Sequence, residues 1–171
     1  MTDDADSPLE HVRHKPPSVL EQPRELIVAC PQFNSNVNLS RIVRLLGCCG
    51  VTRMIVHGRN KVDPDIARDA SQTVQLEVRS SLPPVLKRMA TEGYRIVGLE
   101  QTNRSHDLMH FAFPRRTVLV LGSERQGITD EVLACLHDTV EIPVWGMPYS
   151  YNVATAATMA VYEYCRQFPN G

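Results

Sequence analysis

The sequence predicts an α/β protein built on a mostly parallel sheet with helices on both faces. Strand-like and helix-like segments alternate between residues 25 and 167, as they do in sheets whose strands are joined by helices. Several strand-like segments are nearly continuous apolar runs, including "LIVAC" and "TVLVLG", which is typical of parallel strands covered on both faces. A chain of 171 residues is long enough for one such domain with a substantial core.

The order of the segments sets the expected domain boundaries. Residues 1–24 are acidic at first and proline-rich later, so we expect a flexible or loosely packed arm there. The domain then occupies residues 25–171. Its predicted strands are 25–30, 53–57, 73–78, 94–100, 116–122 and 138–144, and its predicted helices are 37–50, 63–71, 81–93, 128–137 and 152–167.

Residues at the helix ends support these assignments. Gly50 and Gly93 follow helical segments and are expected to end them. Asp63 followed by Pro64 is a typical helix start, because aspartate caps the first turn and proline suits its first position. The last helix is rich in Ala and Thr and follows "SYN". Its small residues fit a tightly packed core helix, and its polar start raises the question of a site.

Composition limits the class of protein. Hydrophobic residues make up 43% and charged residues 22% of the chain, as in ordinary globular proteins. No apolar run is long enough to span a membrane, and the N-terminal segment lacks the basic start and apolar stretch of a signal peptide. We therefore expect a cytoplasmic protein. The five cysteines include no C-x-x-C pair, which indicates neither a disulfide framework nor a zinc site.

Basic residues are concentrated in one segment, although the net charge is only -1. Residues 26–62 contain no Asp or Glu. The segment carries Arg41, Arg44, Arg53, Arg59 and Lys61. Such a zone can contact phosphates, and an ordinary solvated basic face is the alternative.

Polar residues follow four of the predicted strands. The stretches concerned are Pro31–Asn34, Glu100–Thr102, Ser123–Gly127 and Trp145–Pro148. Ligands bind beyond the carboxyl ends of strands in open α/β sheets, so these loops predict a site on one rim. The chain has no G-x-G-x-x-G, no G-x-x-x-x-G-K-[ST] and no G-x-S-x-G. Dinucleotide-binding, NTP-binding and serine hydrolase functions are therefore disfavoured.

Three segments resemble, in order and spacing, the motifs of a known family. They are "NLSRIVRLLGCCGV" (38–51), "LGSERQGI" (121–128) and "IPVWGMPYSYNVATAATMAVYEY" (142–164). These segments resemble the three motifs of the SpoU/TrmH RNA ribose 2'-O-methyltransferases, in the SPOUT superfamily. The likeness extends over residues 25–167. The stretch "EGYRIVGLEQTNRSHDL" is also similar to the branch that methylates a D-loop guanosine of tRNA.

This resemblance implies the fold, the cofactor and the partners. It implies a C-terminal trefoil knot, S-adenosylmethionine (SAM) as methyl donor, a homodimer and an RNA substrate, with no metal. A tRNA guanosine is the favoured target and ribosomal RNA is the alternative. A non-catalytic RNA-binding or SAM-binding homologue is a further alternative, and a flavodoxin-like ligand-binding domain is disfavoured. The motif-three loop and helix would bind SAM and pack against a second subunit, which would account for the small residues of the last helix.

The resemblance also implies roles for individual residues in catalysis. Arg44 would stabilise the developing alkoxide and clamp a phosphate, because an arginine stays protonated. Asn38 would orient Arg44 or the ribose, with a helix N-cap as its alternative role. Glu124 would bind active-site side chains. Ser150 and Asn152 would contact cofactor or ribose, and either could also cap the last helix.

The resemblance assigns a second set of residues to the cofactor. They are Leu99, Gly122, Ile142, Ser150, Tyr151 and Asn152. Tyr151 departs from the leucine that is usual between the motif-three serine and asparagine, so a larger ring would stand beside the adenine. Trp145 would either stack on a base or cover the site.

Overall fold

The computed structural model describes residues 10–13, 15–58 and 61–171 of the chain. Within these residues there are seven strands: β1 (Leu26–Cys30), β2 (Arg53–His57), β3 (Gln75–Arg79), β4 (Arg95–Leu99), β5 (His106–Asp107), β6 (Thr117–Leu121) and β7 (Asp138–Glu141). They form one sheet in the order β3-β2-β1-β6-β4-β7-β5. All of its strand pairs are parallel, which confirms the predicted parallel α/β architecture.

Helices cover both faces of this sheet. The described helices are α1 (Asn36–Cys48), α2 (Pro64–Ala67), α3 (Ala70–Thr73), α4 (Pro83–Thr91), α5 (Asp130–Leu133) and α6 (Val153–Gln167). Buried residues of α1, α2, α3 and α6 share one core cluster with one face of the strands. Buried residues of α4 and α5 share a second cluster with the other face.

The central strand β1 shows why the sheet is buried on both sides. Leu26 and Val28 belong to one core cluster, whereas Ile27 and Ala29 belong to the other. Successive side chains of a strand point to opposite faces, so an unbroken apolar run supplies both cores at once. Each fully buried aliphatic side chain of this kind contributes about 1.5–3 kcal/mol to folding.

The predicted helix over residues 63–71 is two short helices, and this is the main correction to the element assignment. Asp63 caps α2 as expected, its Oδ1 accepting from the Asp65 N–H at 2.9 Å. The chain then breaks at Arg68, whose φ is +56°, a conformation that ends a helix. The break lets Ala70 pack directly against Gly47 of α1.

Two further differences lie in the second half of the sheet. The predicted helix over 128–137 is reduced to the four residues of α5. The two-residue strand β5 was not predicted, because a pair such as His106 and Asp107 carries no apolar alternation. The predicted boundaries of β1, β2 and α6 agree with the structure to within one residue.

The segment that precedes β1 contacts the C-terminal residues. The N–H groups of Glu21 and Gln22 both donate to the Asn170 carbonyl, at 3.0 and 3.4 Å. Residues 1–9, which belong to the predicted N-terminal arm, lie outside the described residues. Across the described part of the chain, no helix is both long enough and apolar enough to span a membrane.

Candidate active site

The loop that follows β6 is a tight turn at the carboxyl edge of the sheet. Ser123 and Gly127 exchange two backbone hydrogen bonds, of 2.9 and 3.1 Å. Gly122 lies under this turn, and a Cβ there would lie 2.7 Å from the Gly127 carbonyl carbon. The turn therefore closes only because residue 122 has no side chain.

Glu100 directly follows β4, the strand next to β6, and it forms a hydrogen bond to the same loop. Its Oε2 accepts from the Ile128 N–H at 3.0 Å, and its Oε1 accepts from the Gln101 N–H at 3.1 Å. The sequence placed Glu100 in a polar loop but gave no reason to assign it to the site. The available signal was a carboxylate directly after a buried strand.

We predict that Gly122→Ala weakens SAM binding and lowers stability. The added methyl group meets backbone rather than a flexible side chain, so the loop must move, at a cost of about 1–3 kcal/mol. Gly146→Ala is the matched control, because a Cβ at Gly146 has no atom within 4 Å. Calorimetric titration with SAM and thermal unfolding measure both effects. Equal behaviour of the two variants would contradict this role of Gly122.

Three residues from separate motifs form one hydrogen-bonded network. The Asn38 Nδ2 donates to Glu124 Oε1 at 3.0 Å, and the Asn152 Nδ2 donates to Asn38 Oδ1 at 3.3 Å. Asn38 is 7% exposed, so its amide is held in a fixed orientation. The network joins the loop after β6 to the first turns of α1 and α6.

The Glu124 carboxylate also lies at the N-terminus of α1. Its Oε2 accepts from the Asn34 N–H at 3.1 Å. Burial disfavours the charged form of Glu124, but hydrogen bonds from Asn38 and from the backbone at Asn34 and Ser35 outweigh it and lower its pKa. The carboxylate is thus ionised at neutral pH, where it complements the helix N-terminus.

The structure decides which of the predicted residues cap helices. Asn152 is the N-cap of α6, its Oδ1 accepting from the Ala154 N–H at 2.9 Å. Asn38 lies inside the first turn of α1, whose N-cap is Ser35. Its alternative role as an N-cap is therefore wrong, and its amide is committed to Glu124 and Asn152.

Two adjoining clefts open beside this network. The larger has a volume of about 390 Å³ and is lined by Leu99, Gly122, Ser150, Tyr151 and Asn152, among others. The smaller, of about 120 Å³, is lined by Leu99, Ile142, Ser150 and Tyr151, among others. All six residues expected to bind the cofactor therefore line one continuous region. Glu100 and Arg125 are further lining residues that the sequence did not single out.

Arg44 lies outside this network. Its side chain is exposed on α1, six residues beyond Asn38, which corresponds to a rotation of about 240° around the helix axis. Within the described residues the Arg44 side chain makes no hydrogen bond or ion pair. Of the other basic residues in its segment, Arg41 is also exposed, whereas Arg53 pairs with Glu77 at 2.8 Å. Arg59 lies outside the described residues.

Comparison with known proteins agrees with this geometry. The sequence profile described as the SpoU rRNA Methylase family matches residues 25–162. The chain belongs to this family. It is similar to a mouse tRNA (guanosine(18)-2'-O)-methyltransferase, with 34% identity over 83% of this chain and 9% of the mouse protein. The Escherichia coli protein of the same name is 27% identical over 85% of this chain and 65% of its own length. The chain thus spans less than two thirds of these relatives.

Solved structures show the same fold. The A. aeolicus TrmH/SpoU tRNA modifying enzyme superposes with a TM-score of 0.82 and 26% identity, over 88% of this chain and 78% of that one. The SpoU methyltransferase AviRb from Streptomyces viridochromogenes, solved in complex with the cofactor AdoMet, superposes with a TM-score of 0.74 and 26% identity. That match covers 88% of this chain and 63% of AviRb.

Proposed function

We propose that this protein transfers a methyl group from SAM to a ribose 2'-hydroxyl of RNA. The observation that carries the proposal is the cleft pair lined by Leu99, Gly122, Ile142 and residues 150–152, directly beside the Glu124–Asn38–Asn152 network. Family membership and the AdoMet complex of AviRb support SAM as the ligand of these clefts.

Transfer RNA is the substrate that we favour. Relatives from mouse, yeast and bacteria are named for the 2'-oxygen of guanosine 18 of tRNA, so we propose that nucleotide as the target. Ribosomal RNA is the second candidate, because the family description names it.

The proposed chemistry depends mainly on alignment and charge. When bound, SAM supplies the methyl group as a sulfonium electrophile. The chain's own residues position the acceptor, with Asn38 and Asn152 held by the network and Ser150 lining both clefts. Arg44 stabilises negative charge at the attacking oxygen and binds an adjacent phosphate, which takes the proton. None of these steps needs a metal.

Several assembly features belong to the same proposal. The domain would begin at residue 25 and act in the cytoplasm. The segment after β7 would thread back as a trefoil knot, and α6 would pack against a second copy of the chain. Trp145 is 83% exposed and does not cover the clefts, so we propose that it stacks on an RNA base.

We predict that Tyr151→Ala weakens SAM binding about tenfold, which corresponds to about 1.4 kcal/mol. Tyr151 lines both clefts, and its ring would supply an apolar wall for the adenine. Tyr151→Leu is the matched variant, because it keeps an apolar side chain, and it is expected to retain binding. Calorimetric titration with SAM separates the two. Unchanged SAM affinity in Tyr151→Ala would show that Tyr151 does not contribute to SAM binding.

The proposal is tested by incubating the purified protein with labelled SAM and, separately, unmodified bulk tRNA and ribosomal RNA. Label on tRNA is the expected result. Label only on ribosomal RNA would retain the reaction and overturn the preferred substrate. Binding of SAM without transfer to either RNA would contradict the catalytic function and support a non-catalytic homologue.

A further inference from the structure

A second groove lies at the opposite ends of α1 and α6 from the candidate active site. Its volume is about 540 Å³, and Cys48, Cys49 and Cys165 line it together with Arg24. Cys165 lies thirteen positions after Asn152, which places the groove about 20 Å along α6 from the network. The groove therefore does not belong to the methyl-transfer site.

Two of these cysteines lie close together. Cys49 and Cys165 line the same groove, and the Cys165 Sγ lies 4.0 Å from the Cys49 carbonyl oxygen. Both residues are half-buried rather than enclosed. A small oxidant entering the groove can therefore reach them.

Arg24 fixes a positive charge beside this pair. Its Nε donates to the Cys49 carbonyl at 2.7 Å, and its Nη1 donates to the Phe168 carbonyl at 2.5 Å. The guanidinium is thus held between the end of α1 and the end of α6. Arg166 and Tyr162 of α6 also line the groove.

The surroundings of the two thiols favour Cys165 as the nucleophile and Cys49 as its partner. The hydrogen bond from Cys49 and the charge of Arg24 lower the pKa of Cys165 to about 7, although burial opposes this. The same hydrogen bond, together with burial, raises the pKa of Cys49. The lowered pKa favours the thiolate of Cys165, which is the reactive form of cysteine.

We propose that Cys165 and Cys49 form a redox modification site that reacts with hydroperoxides to give an intrachain disulfide. The Cys165 thiolate attacks one peroxide oxygen and the O–O bond breaks, leaving a sulfenic acid and hydroxide. The Cys49 sulfur then attacks the sulfenic sulfur and displaces its hydroxyl group as water. For hydrogen peroxide, two thiols and one peroxide give one disulfide and two waters.

The other cysteines lack this combination of features. Cys30 is fully buried, and burial together with the charge of Glu124 raises its pKa. Cys135 donates a hydrogen bond to the Glu131 carbonyl at 3.4 Å, within its own helical turn. Cys48 also lines the groove, but it is exposed, and Arg24 bonds to the carbonyl of Cys49 rather than to Cys48. The reaction is therefore expected at one pair.

The disulfide would join two helices that already touch at this end. Because the two cysteines are already neighbours in the groove, the bond is expected to need no rearrangement at the network some 20 Å away. We expect the oxidised protein to keep its SAM affinity. We also expect a higher melting temperature, since the bond closes a long loop of the unfolded chain.

The test treats the purified protein with hydrogen peroxide and identifies linked peptides by mass spectrometry without reduction. The expected result is a Cys49–Cys165 peptide pair that dithiothreitol removes. Cys48→Ser is the matched control and is expected to form the same link, whereas Cys165→Ser is expected to form none. Linkage through Cys48, either within or between chains, would overturn the proposal.

A second measurement needs no variant. Iodoacetamide modifies thiolates, so its rate of reaction at Cys165 is expected to rise with pH at lower pH than at the other cysteines, because the pKa of Cys165 is lowered. Peptide mass spectrometry reads this rate at each cysteine of the unmodified protein. Absence of reaction at Cys165 up to pH values where the other thiols react would overturn its assignment as the nucleophile. Neither measurement depends on RNA methylation.

Discussion

Replacement of Arg44 by alanine is expected to lower kcat for methyl transfer by about 10²–10³-fold, the usual effect of losing one donor that stabilises charge in the transition state. The affinity for SAM is expected to stay unchanged, because Arg44 does not line the clefts. The free energy of unfolding is also expected to change by less than about 0.5 kcal/mol, because the exposed side chain makes no hydrogen bond or ion pair within the described residues.

Two control variants distinguish the effect of the position of Arg44 on activity from the effect of its charge. Arg41→Ala removes the same charge from an exposed position one turn earlier on α1 and is expected to retain most activity. Arg44→Lys keeps the charge but loses the planar guanidinium fork, so partial activity is expected. Steady-state kinetics and SAM titration are measured on all three variants. Equal loss of SAM affinity and of kcat in Arg44→Ala would refute the assigned role.

Asn38→Ala is expected to damage both stability and catalysis. It removes the donor to Glu124 and the acceptor from Asn152 at once. Because Glu124 is exposed to solvent, loss of its hydrogen bond to Asn38 is expected to cost about 0.5–1.5 kcal/mol of unfolding free energy. Misplacement of the network is expected to lower kcat by about 10²-fold. SAM affinity should also fall, because Asn152 lines the larger cleft.

The pH dependence of the stability loss in Asn38→Ala identifies which hydrogen bond is responsible for it. Glu124 has a lowered pKa in the folded protein, so its bond to Asn38 stabilises the fold above the unfolded pKa of about 4.3. That contribution is lost as the pH falls through the lowered value. The difference in unfolding free energy between wild type and Asn38→Ala should therefore narrow below about pH 4.

A matched control lies two residues earlier. Asn36 is exposed, and Asn36→Ala removes the same side chain without touching the network. Urea unfolding at several pH values compares the two variants. A stability loss in Asn38→Ala that does not change with pH would show that Glu124 is not the partner responsible.

The apolar runs were sufficient to predict the sheet and its parallel character. Parallel strands buried on both faces must be apolar throughout, so strands such as β1 and β6 were visible as unbroken runs. The two-residue strand β5 could not be predicted in this way. Its residues form a strand because they pair with β7, and their own sequence shows no strand pattern. The break between α2 and α3 depends on the packing of Ala70 against Gly47, which is a tertiary contact.

The candidate site was predictable in part for a similar reason. Motif resemblance located the residues that line the clefts, and strand ends showed which edge would hold them. The partners within the site were not visible, because Asn38 and Asn152 are 114 residues apart in sequence and only folding brings them together. Glu100 was overlooked because its carboxylate acts on the backbone at Ile128, which leaves no signature in the sequence.

The position of the transferred methyl group tests the central claim most directly. Unmodified tRNA is labelled with the protein and labelled SAM, and is then hydrolysed in alkali, which cleaves after every nucleotide that has a free 2'-hydroxyl. The account predicts label in an alkali-resistant dinucleotide containing 2'-O-methylguanosine, and its loss in Arg44→Ala. Label that appears only in mononucleotides would place the methyl group on a base and contradict the proposed reaction.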